Sequence, residues 1–252
     1  MEIVNLKEIA SKIIISGHRG GRLEYENSMS AFRLAIDNKI PEIEFDLYLT
    51  ADNNIVVLHG SEIGEIGYEN IETNIFKNSM VETLTLDQIR SLTLPNGDKI
   101  PTFGEVLAVW KNQIKLSLDI KATNKDVCQM IVNLLKEHDI SGDMVNFWSF
   151  NHSILQELKN IEPNISWGYL YEYYDKMDSD YYSKNGDTCN IPITYLTQEL
   201  VDNWKRNNMG VVVYFPSICQ EDPSHWEQCI LMGVQTIISD HPLELMNYIS
   251  AL

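Results

Sequence analysis

The sequence predicts one α/β domain over residues 1–252, a (β/α)8 TIM barrel with a β-hairpin arm and a short insertion after strand two. Three observations lead there. The chain has 252 residues, and such barrels take about 250. Short apolar runs alternate with amphipathic helical patterns, which is the mark of a parallel sheet. Nine strands can be counted, and one of them follows its predecessor with no helix between, so that pair must run antiparallel. Set aside as an arm, it leaves eight strand–helix units, the number that closes a barrel.

The elements follow in order. Ile13-Ile14-Ile15 is short enough for a buried strand and stops at Gly17, so His18 and Arg19 stand at its end before the flexible pair Gly20-Gly21. A helix comes next, capped by Asn27 or Ser28, with Met29, Phe32, Ala35 and Ile36 at helical spacing. Strand two runs from Glu42 to Thr50; Ala51-Asp52-Asn53-Asn54 turns the chain, and Ile55 to Leu58 returns and delivers His59. Residues from about 60 to 83 carry Glu62, Glu65, Glu69, Glu72 and Glu82 with little apolar periodicity, and are expected to form a surface insertion. Thr85 with Gln88 and Thr102 with Glu105 have capping-box spacing and open helices ending near Leu92 and Trp110.

Beyond these, strands are expected at Ile114–Lys121, Met144–Phe150, Ile165–Tyr171, Cys189–Ile193, Gly210–Phe215 and Val234–Ser239. Helices fall between them, at about Asn124–His138, Asn151–Asn160, Thr197–Asn208 and from Asp222-Pro223 through Met232, with Pro242 opening the last. A polar, tyrosine-rich stretch reaches from strand Ile165–Tyr171 to about Lys184. No repeat or second-domain linker interrupts the series.

Nineteen basic against 36 acidic residues give a net charge of −17. Such a surface repels nucleic acid and anionic membranes, so any attraction for an anionic substrate must be local. No apolar run approaches the roughly 20 residues needed to cross a bilayer, and integral membrane association is not expected. The N-terminus carries Glu2 and no long apolar core, unlike a secretory signal. Cysteines at 128, 189, 219 and 229 lack Cys-x-x-Cys spacing and read as reduced, mostly buried thiols. A cytoplasmic location is the expectation; oligomeric state is not addressed.

In barrels of this class the chemistry sits at the C-terminal ends of the strands. Glu44 and Asp46 are two residues apart on strand two, so both carboxylates leave one face. Asp119 and Lys121 alternate with Leu118 and Ile120 on the next barrel strand, which points the charged pair at the barrel axis. Three carboxylates meeting there cannot all stay ionised without a cation. An all-oxygen cluster suits a hard divalent ion, magnesium or calcium. The alternative for Glu44 and Asp46 is a solvated strand end or salt bridges to Arg19 and Lys121. Arg19 and Lys121 in turn are candidate phosphate contacts, the first as a planar fork and the second as a point charge. Glu26 is expected to orient Arg19 or favour the start of the first barrel helix. His18 and His59 are the acid–base candidates, because histidine titrates near neutrality. His138, His152, His225 and His241 fall on helices or helix starts and read as surface or capping residues.

One family matches these residues in register. The N-terminal stretch resembles the glycerophosphodiester phosphodiesterases through His18-Arg19-Gly20, Glu26-Asn27-Ser28, Ala31-Phe32, Ile43-Glu44-Phe45-Asp46, Thr50-Ala51-Asp52 and Val56-Val57-Leu58-His59. Later landmarks are Ile100-Pro101-Thr102-Phe103, Ser149-Phe150, Gly168-Tyr169-Leu170 and Ser239-Asp240-His241-Pro242. The resemblance implies a phosphodiesterase that hydrolyses glycerophosphodiesters to an alcohol and glycerol 3-phosphate, a place for it in lipid metabolism, and catalytic roles for both His18 and His59. It leaves open which histidine is acid and which is base, and whether water or a substrate hydroxyl attacks.

The chain departs from the family at several places. Asp119 stands where glutamate is usual, Gly60 where aspartate usually follows the second histidine, and Val213-Tyr214-Phe215-Pro216 where a tryptophan–threonine–valine–asparagine ending is usual. The arginine–threonine segment common after the second histidine is missing. Two rivals follow: a phospholipase D-like lyase acting on lysophospholipid or sphingolipid head groups, and a non-catalytic phosphate-ester-binding barrel.

Overall fold

Ile43, Phe45, Leu47 and Leu49 of the long second strand alternate with Glu42, Glu44, Asp46 and Tyr48, and the fold is built around that division. The computed structural model describes residues 6–60, 64–66, 76–110, 112–172 and 186–252. Its strands are β1 (Ile14–Gly17), β2 (Glu42–Leu49), β3 (Ile55–Val57), β4 (Lys115–Ile120), β5 (Val145–Ser149), β6 (Ser166–Leu170), β7 (Thr188–Pro192), β8 (Gly210–Tyr214) and β9 (Thr236–Ser239). From β2 the sheet runs through β4, β5, β6, β7, β8 and β9 to β1, all parallel, and the β1–β2 pairing of Ser16 with Glu42 and Gly17 with Ile43 closes it. The arm β3 lies antiparallel on β2, with Leu47 opposite Val57 and Leu49 opposite Ile55. This is the (β/α)8 TIM barrel with its hairpin arm.

Helices among the described residues are α1 (Leu6–Ala10), α2 (Met29–Asp37), α3 (Leu86–Ser91), α4 (Phe103–Trp110), α5 (Asp126–Glu137), α6 (His152–Ile161), α7 (Gln198–Arg206), α8 (Pro223–Met232) and α9 (Pro242–Ala251). Of the two candidate caps for α2, Ser28 holds the position: its hydroxyl accepts from the Ala31 amide at 3.1 Å. Thr85 and Gln88 close the reciprocal box that starts α3, and Thr102 and Glu105 exchange the same two bonds at 2.8 and 3.2 Å before α4. Asp222 caps α8, with Pro223 at its first position.

Ile43, Phe45 and Leu47 of β2 join Leu116, Leu118 and Ile120 of β4 on the outward face and pack under Phe32, Phe103, Val127 and Ile131 of the helices, all fully or almost fully buried. Phe45 meets Phe32 at a centroid distance of 5.1 Å. Each such side chain contributes on the order of 1.5–3 kcal/mol by leaving water. Glu42, Glu44 and Asp46 are left to the barrel interior, equally buried.

The arm has a core of its own. Tyr48, Val56 and Leu58 pack with Ile66, Val81, Leu84, Ile89, Leu92 and Ile100 in a second cluster. The described part of the insertion is thus tied down by Ile66 and Val81, while Ser61–Ile63 and residues 67–75 lie outside the described residues. A Cβ at Gly60 would stand 3.0 Å from the Tyr48 hydroxyl and 3.1 Å from the Glu65 carbonyl. A larger residue here would have to push the Tyr48 hydroxyl or the Glu65 backbone aside by a few tenths of an ångström, so the spot favours the glycine the chain carries. Most of the tyrosine-rich stretch to Lys184 also lies outside the described residues. All four cysteines are free, three of them buried and Cys219 half-buried. Among the described residues no helix is long and apolar enough to cross a membrane.

Candidate active site

β2 and β4 pair so that Asp46 stands beside Asp119 and Glu44 beside Ser117. With the apolar alternates facing the helices, Glu44, Asp46 and Asp119 converge in the interior at the C-terminal end of the barrel. One oxygen from each lies within 4.8 Å of the others, and all three residues are buried.

The end of β1 supplies the next groups. After Gly17 the chain makes a short 3-10 turn over His18–Gly20, and four successive residues take left-handed backbone angles: Arg19 (φ 51), Gly20 (φ 93), Gly21 (φ 84) and Arg22 (φ 46). The two glycines adopt this freely. A Cβ on Gly20 would also meet the Phe32 ring at 2.9 Å, and one on Gly21 would meet Pro242 at 2.7 Å. For Arg19 the conformation costs about 1–2 kcal/mol. That cost is offset by what the bend achieves, because it aims the Arg19 amide at Glu44 Oε2, 3.0 Å away. The Arg19 guanidinium then reaches both Glu26 oxygens through Nη1, at 2.9 and 3.0 Å, and puts Nε 3.5 Å from Asp46 Oδ2.

From β4, Lys121 sits against Asp119 Oδ2 and 3.6 Å from Asp46 Oδ1, with its ammonium 4.7 Å from the centre of the Phe150 ring. Leu58 donates its amide to the Asp46 carbonyl at 3.1 Å, so the returning arm brings His59 to the level of the carboxylates. His18 Nε2 stands 4.0 Å from Glu44 Oε2. The salt bridges to Arg19 and Lys121 therefore exist together with the carboxylate cluster.

Burial and mutual repulsion set the protonation pattern. Burial, followed by the charges of Asp46 and Asp119, holds Glu44 well above the usual carboxylate range. Asp119 is pushed up to about 6 by burial and by Asp46, against the pull of Lys121. Asp46 goes the other way: burial would raise it, but His59, Lys121, Arg19 and the Asn27 amide together drive it below its ordinary value. His59 itself is lowered to about 3, by burial first and then by Arg19, Lys121 and His18, while Asp46 opposes the shift. It is accordingly neutral at pH 7, and Lys121 and Arg19 are the charges that keep Asp46 ionised there. Lys121 stays firmly protonated: burial would lower it, and Asp119 and Asp46 outweigh that.

A divalent cation fits this donor set. The ligands are all carboxylate oxygens, matched to a hard ion. Asp119 Oδ1 is buried without a hydrogen-bond partner while its other oxygen faces Lys121, so one lone-pair site is left open toward the cluster. Two nearby cations do not balance three carboxylates, which is the electrostatic reason for Glu44 to lie above the ordinary carboxylate range, and a bound divalent ion would relieve that repulsion.

Three residues at the site had no chemical role in the sequence reading. Asn27, a cap candidate, instead takes a left-handed angle (φ 53) and donates through Nδ2 to Asp46 Oδ2 at 3.0 Å. The signal was its place inside Glu26-Asn27-Ser28. Asp240, at the end of β9, lies 2.6 Å from His18 Nδ1, and Arg22 reaches its other oxygen at 3.1 Å. Asp240 belongs to a stretch that marked the family, and only barrel closure brings it beside β1. His152 bonds the Leu170 carbonyl at 3.2 Å and stacks edge-on with Tyr169, away from the carboxylates.

The family model for the Glycerophosphoryl diester phosphodiesterase family matches residues 18–244. A glycerophosphodiester phosphodiesterase of Caldanaerobacter subterraneus subsp. tengcongensis is 26% identical over 256 residues, spanning 94% of this chain and 98% of that protein. A solved structure from Galdieria sulphuraria, assigned as a glycerophosphodiester phosphodiesterase, superposes with a TM-score of 0.83 at 27% identity and covers 94% of this chain and 98% of its own. A phosphodiesterase from Oleispira antarctica, solved with its product sn-glycerol-3-phosphate, superposes with a TM-score of 0.80 at 20% identity, covering 94% and 96%; at that identity it bears on the fold. With the model matched from the first site histidine into the last helix, the chain belongs to the glycerophosphoryl diester phosphodiesterase family.

Proposed function

We propose that the protein hydrolyses glycerophosphodiesters to an alcohol and glycerol 3-phosphate, with magnesium or calcium held by Glu44, Asp46 and Asp119 and with His18 and His59 as the proton-transfer groups. One observation carries this reading: three buried carboxylates within 4.8 Å of one another share a strand end with two cations and two imidazoles. Family membership and the named activity of its relatives agree with it.

A bound divalent ion would supply Lewis-acid stabilisation of charge on the phosphoryl oxygens. The rest falls to side chains. Arg19 and Lys121 attract and orient the phosphate anion against an otherwise strongly acidic surface, an electrostatic contribution that often dominates catalysis. His59, neutral at pH 7 by burial, has a lone pair to offer or a proton to share according to its tautomer. His18, with Nδ1 held by Asp240, turns Nε2 toward the carboxylate end of the site. Together the two histidines provide the base for the attacking water or substrate hydroxyl and the acid for the departing alkoxide.

Glycerophosphocholine and glycerophosphoethanolamine, incubated with the protein in magnesium, calcium or chelator, test the reading through release of glycerol 3-phosphate. Metal-dependent release is expected. A cyclic phosphate product would transfer the protein to the lyase reading, and binding without turnover would make it a phosphate-ester-binding barrel.

A further inference from the structure

His18 is held from behind by groups on the opposite end of the chain. Asp240 Oδ1 lies 2.6 Å from His18 Nδ1, across 222 residues of sequence. Its Oδ2 is 3.1 Å from Arg22 Nη1, and Arg22 also approaches Glu26, the partner of Arg19, at 3.7 Å. The backbone at Asp240 is fixed as well. Its amide donates to Glu221 Oε2 at 2.8 Å, and the other oxygen of this buried carboxylate accepts from Trp226 Nε1 at 2.7 Å and from the Ser239 hydroxyl. Three elements thus converge to place one carboxylate on one imidazole nitrogen.

An ionised carboxylate only accepts hydrogen bonds. A neutral imidazole bonded to it must carry its proton on Nδ1, leaving the Nε2 lone pair directed away from Asp240, on the side where Glu44 Oε2 lies at 4.0 Å. We propose that Asp240 is a positioning residue that fixes His18 as the Nδ1–H tautomer and aims Nε2 at the reacting phosphodiester, with Arg22 and Glu221 holding Asp240 in place. This rests on the reading of His18 as a proton-transfer group. A merely structural role, stapling the end of β9 to the end of β1, predicts lost stability with native turnover in the folded fraction, so the two are separable.

Asp240→Asn conserves shape, but its amide can donate to Nδ1 and so reverses the tautomer. The wrong tautomer of a histidine that moves protons is costly, and kcat should fall by roughly 10²-fold or more, with KM and metal requirement close to those of the parent. Asp240→Glu should recover part of the loss. Nitrogen-15 spectra of the imidazoles should report Nδ1–H for His18 in the parent and Nε2–H in Asp240→Asn. In a His18→Ala background, Asp240→Asn should cost nothing further, because the group it acts through is gone. Native kcat in folded Asp240→Asn, an independent loss in the His18→Ala background, or an Nε2–H tautomer in the parent would each overturn the proposal. A fully active His18→Ala protein would overturn the reading of His18 itself, and the spectrum would still report whether Asp240 holds the ring.

Discussion

The two arcs of the barrel mouth are made of opposite materials. On β1, β2 and β4 the inward positions near the C-terminal end hold Glu44, Asp46 and Asp119, with His18, Arg19 and Lys121 at the strand ends. On β5, β6, β8 and β9 the inward positions hold Trp148, Leu170, Val212 and Ile238 in a buried apolar cluster of their own, with Tyr214 packed on it. The seam is abrupt: Asp119 on β4 stands directly beside Trp148 on β5. Charge is concentrated on one arc and water is excluded from the other. An apolar wall lowers the local dielectric, and ion contacts across the site strengthen accordingly. The same wall is part of why Glu44 and Asp119 resist ionisation. The charged arc should therefore carry the chemistry and the apolar arc the stability, and substitutions on each can break that division.

The largest effects are expected at the histidines. His18→Ala and His59→Ala should each lower turnover by roughly 10²–10⁴-fold, the scale of a positioned proton-transfer group, while thermal unfolding stays near that of the parent. A folded variant with near-native turnover would remove that histidine from the chemistry. Asp119 comes next. Asp119→Asn should weaken metal binding and turnover by about 10–100-fold, with partial rescue by excess metal, since a neutral amide replaces an anionic ligand. Asp119→Glu should keep or raise activity, perturbing at most the preference between magnesium and calcium. An Asn variant with an unchanged metal titration would reduce Asp119 to a partner of Lys121.

These residues were legible because period-2 patterning exposes them. Glu44 and Asp46 alternate with Ile43, Phe45 and Leu47, and Asp119 alternates with Leu118 and Ile120, so the sequence alone assigns them to an interior face. The hairpin was legible too, because a strand follows a strand across a four-residue turn. Asp240, Arg22 and Glu221 were not. Their roles depend on closure, which sets β9 beside β1, and on four successive left-handed residues at 19–22 that turn Arg22 back toward Asp240. No periodicity encodes such a bend. Asn27 was hidden for a related reason: Ser28 competes for the same cap, and only the φ of 53 at Asn27 frees its amide for Asp46. Ile66 and Val81 were lost in an acidic stretch whose apolar residues are too sparse to show a period.

Metal should also change stability, with a sign that follows from Asp119. Its pKa in the metal-free fold is raised from 3.8 to about 6. The stability it contributes is therefore fully present below the unfolded value and lost as pH rises through about 6. Glu44 shifts in the same direction. At pH 7 Asp119 is ionised and adds its charge to the cluster, and a divalent ion would relieve that repulsion; below pH 6 protons compete for the same oxygens. A fixed magnesium or calcium concentration equal to 100 times the Kd at pH 7 adds about 2.7 kcal/mol there, and less at pH 5 where the Kd is weaker. The gain in Tm should be larger at pH 7 than at pH 5, measured on chelator-treated protein with metal restored. Equal gains at both would show that the ion binds without displacing protons from these carboxylates.

The smallest effect is expected on the apolar arc, at Tyr214, whose phenol brings a polar tip near the charges. Tyr214 donates its hydroxyl to the Tyr171 carbonyl at 2.7 Å. Burial, with help from Glu172 and Asp119 and against Lys121, pushes the phenol above its ordinary pKa, so it remains a protonated donor across the working range. The bond ties the end of β8 to the segment after β6 and engages the hydroxyl proton with a main-chain carbonyl. Tyr214→Phe keeps the ring and its packing on Trp148, Leu170, Val212 and Ile238, and removes one neutral hydrogen bond worth about 1 kcal/mol. In a chain of this size that is a Tm shift of about 2–4 °C. Turnover of the folded variant should stay within about threefold of the parent, well short of a lost proton-transfer group. If Tyr214→Phe instead lost tenfold or more in kcat with an unaltered Tm, the phenol would be acting on the substrate, and the division between a chemical arc and a structural arc would fail at that strand.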